Sequence, residues 1–187
     1  MLISQFQAVG RDLCARGLVS SHSGNLSIRL RERLCITHRG SMLGSLEEQN
    51  LVETGVNKND RSTPLASTEL EVHRSIYKRT SASAVVHAHP VYAVALSFFE
   101  REIVPCDVEG EMLLPNVPVL GWGMTVEPGA LTEEIAEALE KHKVVLVRGH
   151  GSFAVGQLLE EAYHYTTTLE ESCRLLYLLK ALRVDLH

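Results

Sequence analysis

The sequence predicts an α/β protein in which a central mixed sheet has helices on both of its faces. Two observations lead to this fold class: short apolar runs typical of strands are joined by tight turns, and segments with helical spacing lie at both ends and in the middle of the chain. Because strands and helices do not alternate strictly, a regular doubly wound parallel sheet is not expected. With 187 residues, 45% of them hydrophobic, the chain can bury one core, so residues 1–187 are predicted to form a single domain.

Charge and cysteine content exclude several classes of protein. Eighteen Lys and Arg residues against 23 Asp and Glu residues give a formal net charge of -5, and no basic cluster could follow a nucleic-acid backbone. No apolar run is long enough to span a bilayer, so neither nucleic acid nor a membrane is expected as a partner. The four cysteines are widely spaced in apolar contexts without a CxxC motif, which predicts reduced, buried thiols in a cytoplasmic protein.

The first half of the chain is predicted to begin with a helix that Gly17 ends. Residues 26–29 and 34–37 are predicted to pair as a hairpin, and the polar stretch that follows, as far as Pro64, is expected to be a surface loop without periodic structure. The helical spacing of the N-terminal segment is carried by Leu2, Phe6, Val9 and Leu13.

A second helix is predicted over residues 67–79, where Thr68 and Glu71 fit a capping box and an apolar face is formed by Leu70, His73, Ile76 and Tyr77. A strand over residues 84–89 follows. Pro90 suits the first turn of a third helix, predicted as far as residue 100. Residues 103–106 and 117–120 are predicted to be short extended segments separated by turns.

The last third of the chain is predicted to contain two helices around a hairpin. Pro128 begins a helix whose apolar stripe is Leu131, Ile135 and Leu139. Residues 143–156 are predicted to form a strand, a Gly-His-Gly turn and a second strand, and residues 158–182 a long C-terminal helix.

His87 and His89 stand out because two imidazoles interrupt an apolar strand. On a strand they share a face, with about 6.6 Å between their positions, so both can reach one ion; two ordinary core histidines are an equally good explanation. His150, which lies between Gly149 and Gly151 directly after an apolar strand, is the third candidate, with an exposed turn histidine as the alternative. Three histidines around Zn²⁺ leave a position open, as in catalytic sites. Solvated or capping roles are predicted for His22, His38, His73, His142, His164 and His187.

Three stretches of small residues are candidate anion sites because they combine flexible backbone with hydroxyl groups or a guanidinium. Taken singly, each is better explained as an ordinary turn or helix cap: Gly24-Asn25, Arg39-Gly40-Ser41 and Ser67-Thr68. Glu69 follows the last of them, and its position ahead of the histidine strand makes it a candidate catalytic carboxylate, although an acidic residue in the first turn of a helix is common for electrostatic reasons alone.

Five motifs together resemble the class II aldolase/adducin family in order and spacing: GNLS at 24–27, THRG at 37–40, STE at 67–69, HAH at 87–89 and GHG at 149–151. The resemblance covers nearly the whole chain. It implies a three-layer α/β/α fold with a mostly antiparallel sheet, and a homotetramer with active sites between subunits. It further implies that His87, His89 and His150 hold Zn²⁺ or another divalent metal, and that Glu69 is the acid/base. A phosphate pocket is implied at Asn25, Arg39, Gly40, Ser67 and Thr68.

The activity that this resemblance implies is cleavage of a phosphorylated ketose, similar to fuculose 1-phosphate, into dihydroxyacetone phosphate and an aldehyde. The chain departs from the family's aldolases in having His38 and Arg39 where they have Pro and then Thr or Ser. It also has no tyrosine proton donor in residues 104–113, only Asp107, Glu109 and Glu111, and it ends soon after its final helix, where a second tyrosine would otherwise be expected.

Three other functions are compatible with the same scaffold. Two are enzymatic: dehydration of methylthioribulose 1-phosphate and 4-epimerisation of a ribulose phosphate. The third is a non-catalytic interaction module similar to the adducin head. Retention of all three histidines and of Glu69 argues against the third function, because a module without chemistry has no need of that ligand set.

Overall fold

In the computed structural model, which describes residues 2–122 and 128–182, one eight-stranded sheet separates two layers of helices. The strands are β1 (Asn25–Leu30), β2 (Arg33–Thr37), β3 (Leu51–Gly55), β4 (Ala84–Ala88), β5 (Glu102–Ile103), β6 (Val117–Leu120), β7 (Val144–Val147) and β8 (Gly151–Gly156). The helices are α1 (Leu2–Ala15), α2 (Leu70–Arg79), α3 (Val91–Leu96), α4 (Val108–Leu113), α5 (Thr132–Ala138) and α6 (Leu159–Ala181).

The strand order is β3-β2-β1-β4-β8-β7-β6-β5. Six of the seven neighbouring pairs are antiparallel and only β6 and β7 run parallel. The predicted three-layer α/β/α fold with a mixed, mostly antiparallel sheet is therefore confirmed.

The two faces of the sheet form two separate cores. In β4, Val86 points to a core that also contains residues of α1 and α6, whereas Val85 points to a core shared with α2 and α5. The same division separates Leu146 from Val145 in β7. Because side chains alternate between the faces of a sheet and both faces are covered, the central strands read as continuous apolar runs rather than as alternating ones.

Two elements are absent from the prediction. The stretch before Pro64 contains β3, which pairs antiparallel with β2, so the prediction of a structureless loop is wrong there. The segment predicted as turns after residue 106 contains α4, which begins at Asp107, whose side chain accepts a hydrogen bond from the Gly110 amide at 2.9 Å. Both elements are short, and the alternating pattern of β3 is limited to the buried Val52 and Thr54.

Several boundaries also differ from prediction. Helix α3 ends at Leu96 rather than residue 100, and β5 covers only Glu102–Ile103. The segment at Pro128 begins with a 3₁₀ turn before α5. Helix α1 ends as predicted: Gly17 adopts a φ of 69°, and the Leu18 amide donates to the Leu13 carbonyl at 2.9 Å, which is a Schellman ending.

The predicted capping box of α2 does not form. Glu69 occupies the position before the first helical residue, without a side-chain cap, and Glu71 instead contacts Arg74 at 2.7 Å. All four cysteines are free, but only Cys35 and Cys173 are buried, so the prediction of buried thiols is wrong for the exposed Cys14 and the half-buried Cys106. Among the described residues, none of the helices is both long and apolar enough to cross a membrane.

Candidate active site

Strand β4, the β7–β8 turn and the residues just before α2 bring the candidate residues together at one end of the central strands. His87 lies near the end of β4, directly beside Asn25 of β1 and Phe153 of β8 in the strand register. His89 follows the strand end, and His150 lies in the turn between β7 and β8. Because β4 and β8 are neighbours, residues more than sixty positions apart in sequence meet at the same point.

The three imidazoles converge. The Nε2 atoms of His87 and His89 are 3.0 Å apart, and one ring nitrogen from each of the three histidines lies within 4.8 Å of the others. The His87 ring is stacked on that of His150 with centroids 5.3 Å apart, and His89 meets His150 edge-on at 4.8 Å. Among the described residues, this is the one group of three or more His, Cys, Asp or Glu side chains close enough to share a metal ion.

Glycine is required beside His150 for steric reasons. A Cβ atom at Gly151 would lie 2.4 Å from the Ala88 carbonyl oxygen and 2.8 Å from the His89 ring. Gly149 adopts a φ of 70°, a left-handed conformation that other residues rarely adopt. The glycines therefore let the turn approach the histidine pair closely enough for His150 to join it.

The donor set fits a divalent metal. The Nδ1 atom of His87 lies 2.9 Å from the Ser152 carbonyl oxygen, which keeps the proton on Nδ1 and directs the lone pair of Nε2 toward the other histidines. The Nε2 atom of His150 is buried and has Oε1 of Glu69 at 3.4 Å but no closer hydrogen-bond partner, so it is available as a ligand atom. Burial lowers the pKa of His87, and it lowers the pKa of His89 to about 3, so both are neutral and able to act as ligands at neutral pH.

Glu69 lies against two of these imidazoles. Its Oε2 atom is 3.2 Å from Nε2 of His87, and its Oε1 atom is 3.4 Å from Nε2 of His150. Asn25 donates a hydrogen bond of 2.6 Å from Nδ2 to the same Oε2. Burial alone would raise the pKa of Glu69, but the proximity of His87 and His150 and the bond from Asn25 lower it to about 2. The carboxylate is therefore charged at neutral pH.

A cavity of about 200 Å³ opens onto the three imidazoles and Glu69. Four of the predicted phosphate-site residues line it: Asn25, Gly40, Ser67 and Thr68. Arg39 is exposed and is not among the lining residues, whereas His22 and His38 are. The predicted solvated or capping roles of those two histidines followed from their turn-like neighbours, since nothing in the local pattern indicates a shared cavity.

His73 is hydrogen-bonded to a residue of the site, a contact that the sequence pattern did not predict. It is fully buried, not solvated as predicted, and it contacts Asn25 through Nε2 at 2.5 Å and Ser27 through Nδ1 at 2.6 Å. Its position on the apolar face of a helix could have revealed it, since a buried imidazole needs hydrogen-bond partners. His187 lies outside the described residues.

The burial of His73 predicts a pH dependence of stability. Burial lowers the pKa of His73 to about 3, so between about pH 6.5 and 3 the unfolded chain binds a proton at this imidazole that the folded chain does not, and stability falls as the pH drops. Between pH 7 and pH 5 this residue is expected to cost about 2 kcal/mol of unfolding free energy. Urea denaturation of wild type and His73→Gln with chelator present measures it: the wild type should lose more stability by that amount. Equal losses in the two proteins would contradict the prediction.

The sequence over most of the chain matches one protein family. The chain belongs to the class II aldolase family: the family described as Class II Aldolase and Adducin N-terminal domain matches residues 4–177, a range that contains every candidate site residue. Membership confirms the predicted family and supports an enzyme. Class II aldolases typically depend on a divalent metal, which agrees with the cluster of three histidines.

Proteins similar to this chain are of two kinds, aldolases and decarboxylases. L-fuculose phosphate aldolase of Methanocaldococcus jannaschii is 30% identical over 91% of this chain and 93% of that protein. A 3-oxo-tetronate 4-phosphate decarboxylase of Pectobacterium atrosepticum is 31% identical over 91% of this chain and 81% of that protein. The crystal structure of L-fuculose-1-phosphate aldolase from Thermus thermophilus superimposes with a TM-score of 0.89 and 40% identity, covering 98% of this chain and 97% of that one.

Proposed function

We propose that the protein is a zinc-dependent aldehyde-lyase that cleaves a phosphorylated ketose, similar to fuculose 1-phosphate, into dihydroxyacetone phosphate and an aldehyde. The observation that carries this proposal is the arrangement of three converging imidazole nitrogens with a charged carboxylate 3.2 Å and 3.4 Å from two of them. Similarity to the L-fuculose phosphate aldolases supports the substrate class.

In this proposal His87, His89 and His150 hold the metal. When bound, a divalent cation stabilises the negative charge that develops on a substrate oxygen as the carbon–carbon bond breaks. The Ser152 carbonyl oxygen holds the His87 ring in the tautomer that a ligand needs. His87 lies in the buried β4–β8 pairing, and His89 and His150 lie directly at the ends of these neighbouring strands, which supports a rigidly held ligand set.

Glu69 moves the proton in this proposal. Its carboxylate is charged, so an Oε atom can accept the proton of the hydroxyl group whose carbon becomes the aldehyde. After the carbon–carbon bond breaks, the carboxyl group returns the proton to the carbon that was left with the electron pair. Asn25 orients the carboxylate through the bond to Oε2.

The phosphate group is proposed to lie where the cavity is lined by backbone and hydroxyl donors. Gly40, Ser67 and Thr68 line the cavity, and their backbone amide and hydroxyl groups are of the kind that bind phosphate. A contribution from Arg39 stays a prediction, since its side chain lies outside the lining. His22 and His38 line the same cavity and can add ring N–H donors.

Decarboxylation of a 3-oxo acid phosphate is the second candidate. The similarity to 3-oxo-tetronate 4-phosphate decarboxylases favours it, and so does the absence of tyrosine from residues 104–113. Loss of CO₂ leaves an electron pair on carbon that needs only a proton, so no hydroxyl proton has to be removed. Because Glu69 is ionised, the proton for that carbon has to come from a water molecule that the carboxylate can orient.

A single assay separates these functions. Metal-loaded protein is incubated separately with fuculose 1-phosphate, 3-oxo-tetronate 4-phosphate, methylthioribulose 1-phosphate and ribulose 5-phosphate. Dihydroxyacetone phosphate is detected through NADH oxidation by glycerol-3-phosphate dehydrogenase, and aldehyde and CO₂ are measured in parallel. We expect dihydroxyacetone phosphate together with an equal amount of aldehyde.

Each other result excludes the lyase proposal. Dihydroxyacetone phosphate with CO₂ identifies the decarboxylase, and a dehydrated or epimerised product without cleavage identifies the dehydratase or the epimerase. Protein that binds metal but converts none of the four compounds contradicts all the enzymatic proposals and favours an interaction module.

We further propose that residues 1–187 act as one domain in a cytoplasmic homotetramer. The pairing of β4 with β8 joins the two halves of the chain in one sheet, which supports a single domain. Large apolar side chains remain exposed near α3 and α4, where Phe99, Val108 and Met112 are 76–80% exposed, and contact with another subunit would cover them. The four free thiols support a reducing compartment.

A further inference from the structure

We propose that His73 is a positioning residue that sets the direction in which the Asn25 side-chain amide faces, and that it thereby holds the Glu69 carboxylate in place. His73 is not one of the three converging histidines and does not itself line the cavity, but it contacts the lining residue Asn25. Its effect on turnover rests on the proposed function, whereas its effect on Asn25 does not depend on any substrate.

A continuous chain of hydrogen bonds connects α2 to β1 beneath the site. Tyr77 Oη lies 2.6 Å from Ser27 Oγ, and Ser27 Oγ lies 2.6 Å from Nδ1 of His73. Nε2 of His73 lies 2.5 Å from Oδ1 of Asn25, and Nδ2 of Asn25 lies 2.6 Å from Oε2 of Glu69. This series of hydrogen bonds therefore ends at the charged Glu69 carboxylate of the site.

Only one direction of proton donation satisfies every link. A carboxylate can only accept, so the Asn25 amide must present Nδ2 to Glu69 and Oδ1 to His73. Since Oδ1 can only accept, Nε2 of His73 carries the proton and Nδ1 of the neutral ring accepts from the Ser27 hydroxyl. The Ser27 oxygen in turn accepts from Tyr77. The position of each proton follows from the orientation of the Asn25 amide, with Nδ2 toward Glu69 and Oδ1 toward His73.

Burial makes this direction costly to reverse. Ser27 and His73 have no exposed surface, and Tyr77 and Asn25 are 1% and 6% exposed, so water has little access to replace a lost partner. A flipped Asn25 amide would point Oδ1 at the Glu69 carboxylate and Nδ2 at the protonated nitrogen of His73. Two favourable contacts would become two repulsive ones.

The periodicities of the two elements produce this alignment. Glu69, His73 and Tyr77 are spaced four residues apart along α2 and so lie on one side of it. Asn25 and Ser27 are two residues apart in β1 and share one face of the sheet. The hydrogen bonds therefore hold the start of α2, which carries Glu69, against the strand that neighbours His87.

The test compares His73→Leu with His73→Gln in the intact, metal-loaded protein. Leucine removes the donor to Asn25, whereas the glutamine side chain can donate from Nε2 and accept from Ser27 at Oε1. The first readout is the side-chain amide resonance of Asn25 in ¹⁵N-labelled protein, assigned by its loss in Asn25→Asp. We expect the wild-type resonance to show the protection from exchange of a charge-assisted hydrogen bond, His73→Leu to lose that protection and His73→Gln to keep it.

The second readout is turnover of whichever compound the assay above identifies. We expect His73→Leu to lower kcat about 10- to 100-fold, because a misplaced catalytic group costs about that much, with KM and metal content within about threefold of wild type. His73→Gln should recover most of the loss. Tyr77→Phe is the matched control for structure, because it removes a buried hydrogen bond and lowers stability while Asn25 keeps its protected resonance.

An Asn25 resonance unchanged in His73→Leu overturns the proposal, even if none of the compounds is converted, so its failure is distinct from failure of the proposed function. A changed resonance with wild-type kcat refutes the effect on turnover, and a His73→Gln variant as impaired as His73→Leu refutes the role of the donated hydrogen bond. If His73→Leu does not fold, His73→Met, which also lacks a donor to Asn25, is expected to produce the same loss of protection.

Discussion

Replacing His150 with alanine is expected to abolish stoichiometric binding of a divalent metal and to lower kcat/KM at least about 10³-fold. The reason is that two imidazoles hold a divalent ion much less tightly than three. Loss of the ion removes several kcal/mol of charge stabilisation, and about 4 kcal/mol corresponds to a factor of 10³ in rate. The fold is expected to persist, because His150 lies in a turn, is 25% exposed, and makes no hydrogen bond through Nε2.

Metal content after dialysis, measured by inductively coupled plasma mass spectrometry, is the direct readout, with thermal unfolding as a check on folding. His164→Ala is the matched control, since this histidine is about half exposed on α6 and contacts Glu109 at 3.6 Å, outside the cluster of three. Chelation of the wild type should reproduce the loss of activity, and re-addition of Zn²⁺ should reverse it. Wild-type metal content in His150→Ala would show that this residue is not a ligand.

Glu69→Gln is expected to lower kcat about 10²- to 10⁴-fold while the metal stays bound. Glutamine has nearly the same shape and can still accept the hydrogen bond from Asn25, but it cannot take up and return a proton. Because the pKa of Glu69 is about 2, the wild-type carboxylate is charged from pH 6 to pH 8. The loss of activity should therefore be the same at both ends of that range.

Kinetic constants and metal content of the purified variant measure this effect. Glu71→Gln is the control, because Glu71 lies two residues further along the same helix, with its side chain 67% exposed and paired with Arg74. A Glu69→Gln variant with kcat within about tenfold of wild type would rule out the acid/base role. Loss of metal in this variant would instead identify Glu69 as part of the metal site.

Local pattern was sufficient to predict the elements that carry the ligands. The alternation of a strand predicts that His87 and His89 share a face, and the structure brings their Nε2 atoms to 3.0 Å. The glycines on either side of His150 predict a close approach, and the space around Gly151 explains it, since a Cβ atom there would meet the Ala88 carbonyl. In these segments the geometry depends on strand alternation or on the size of adjacent residues, so the sequence is informative without knowledge of the fold.

Features that are stabilised by contacts with residues distant in sequence could not be predicted from local pattern. Strand β3 is stabilised by its pairing with β2, and only two of its residues are buried. The hydrogen bonds that connect Tyr77 to Glu69 join residues up to 50 positions apart. The presence of each of these residues also has an ordinary explanation in its local sequence. Arg39 and His38 are neighbours in sequence, yet only His38 lines the cavity, a difference that depends on the direction of the backbone at one turn.

By itself the sequence determined the layered α/β class, the two-residue spacing of the histidine pair and the glycine-flanked third histidine, because strand period and steric size act over a few residues. Only the tertiary structure decided that His150 lies beside that pair, that Glu69 contacts two of the three rings, and that His73 is buried beneath them. Those contacts depend on the antiparallel neighbours of β4 and on the packing of α2 against the sheet, and both arise from burial of apolar surface contributed by the whole chain.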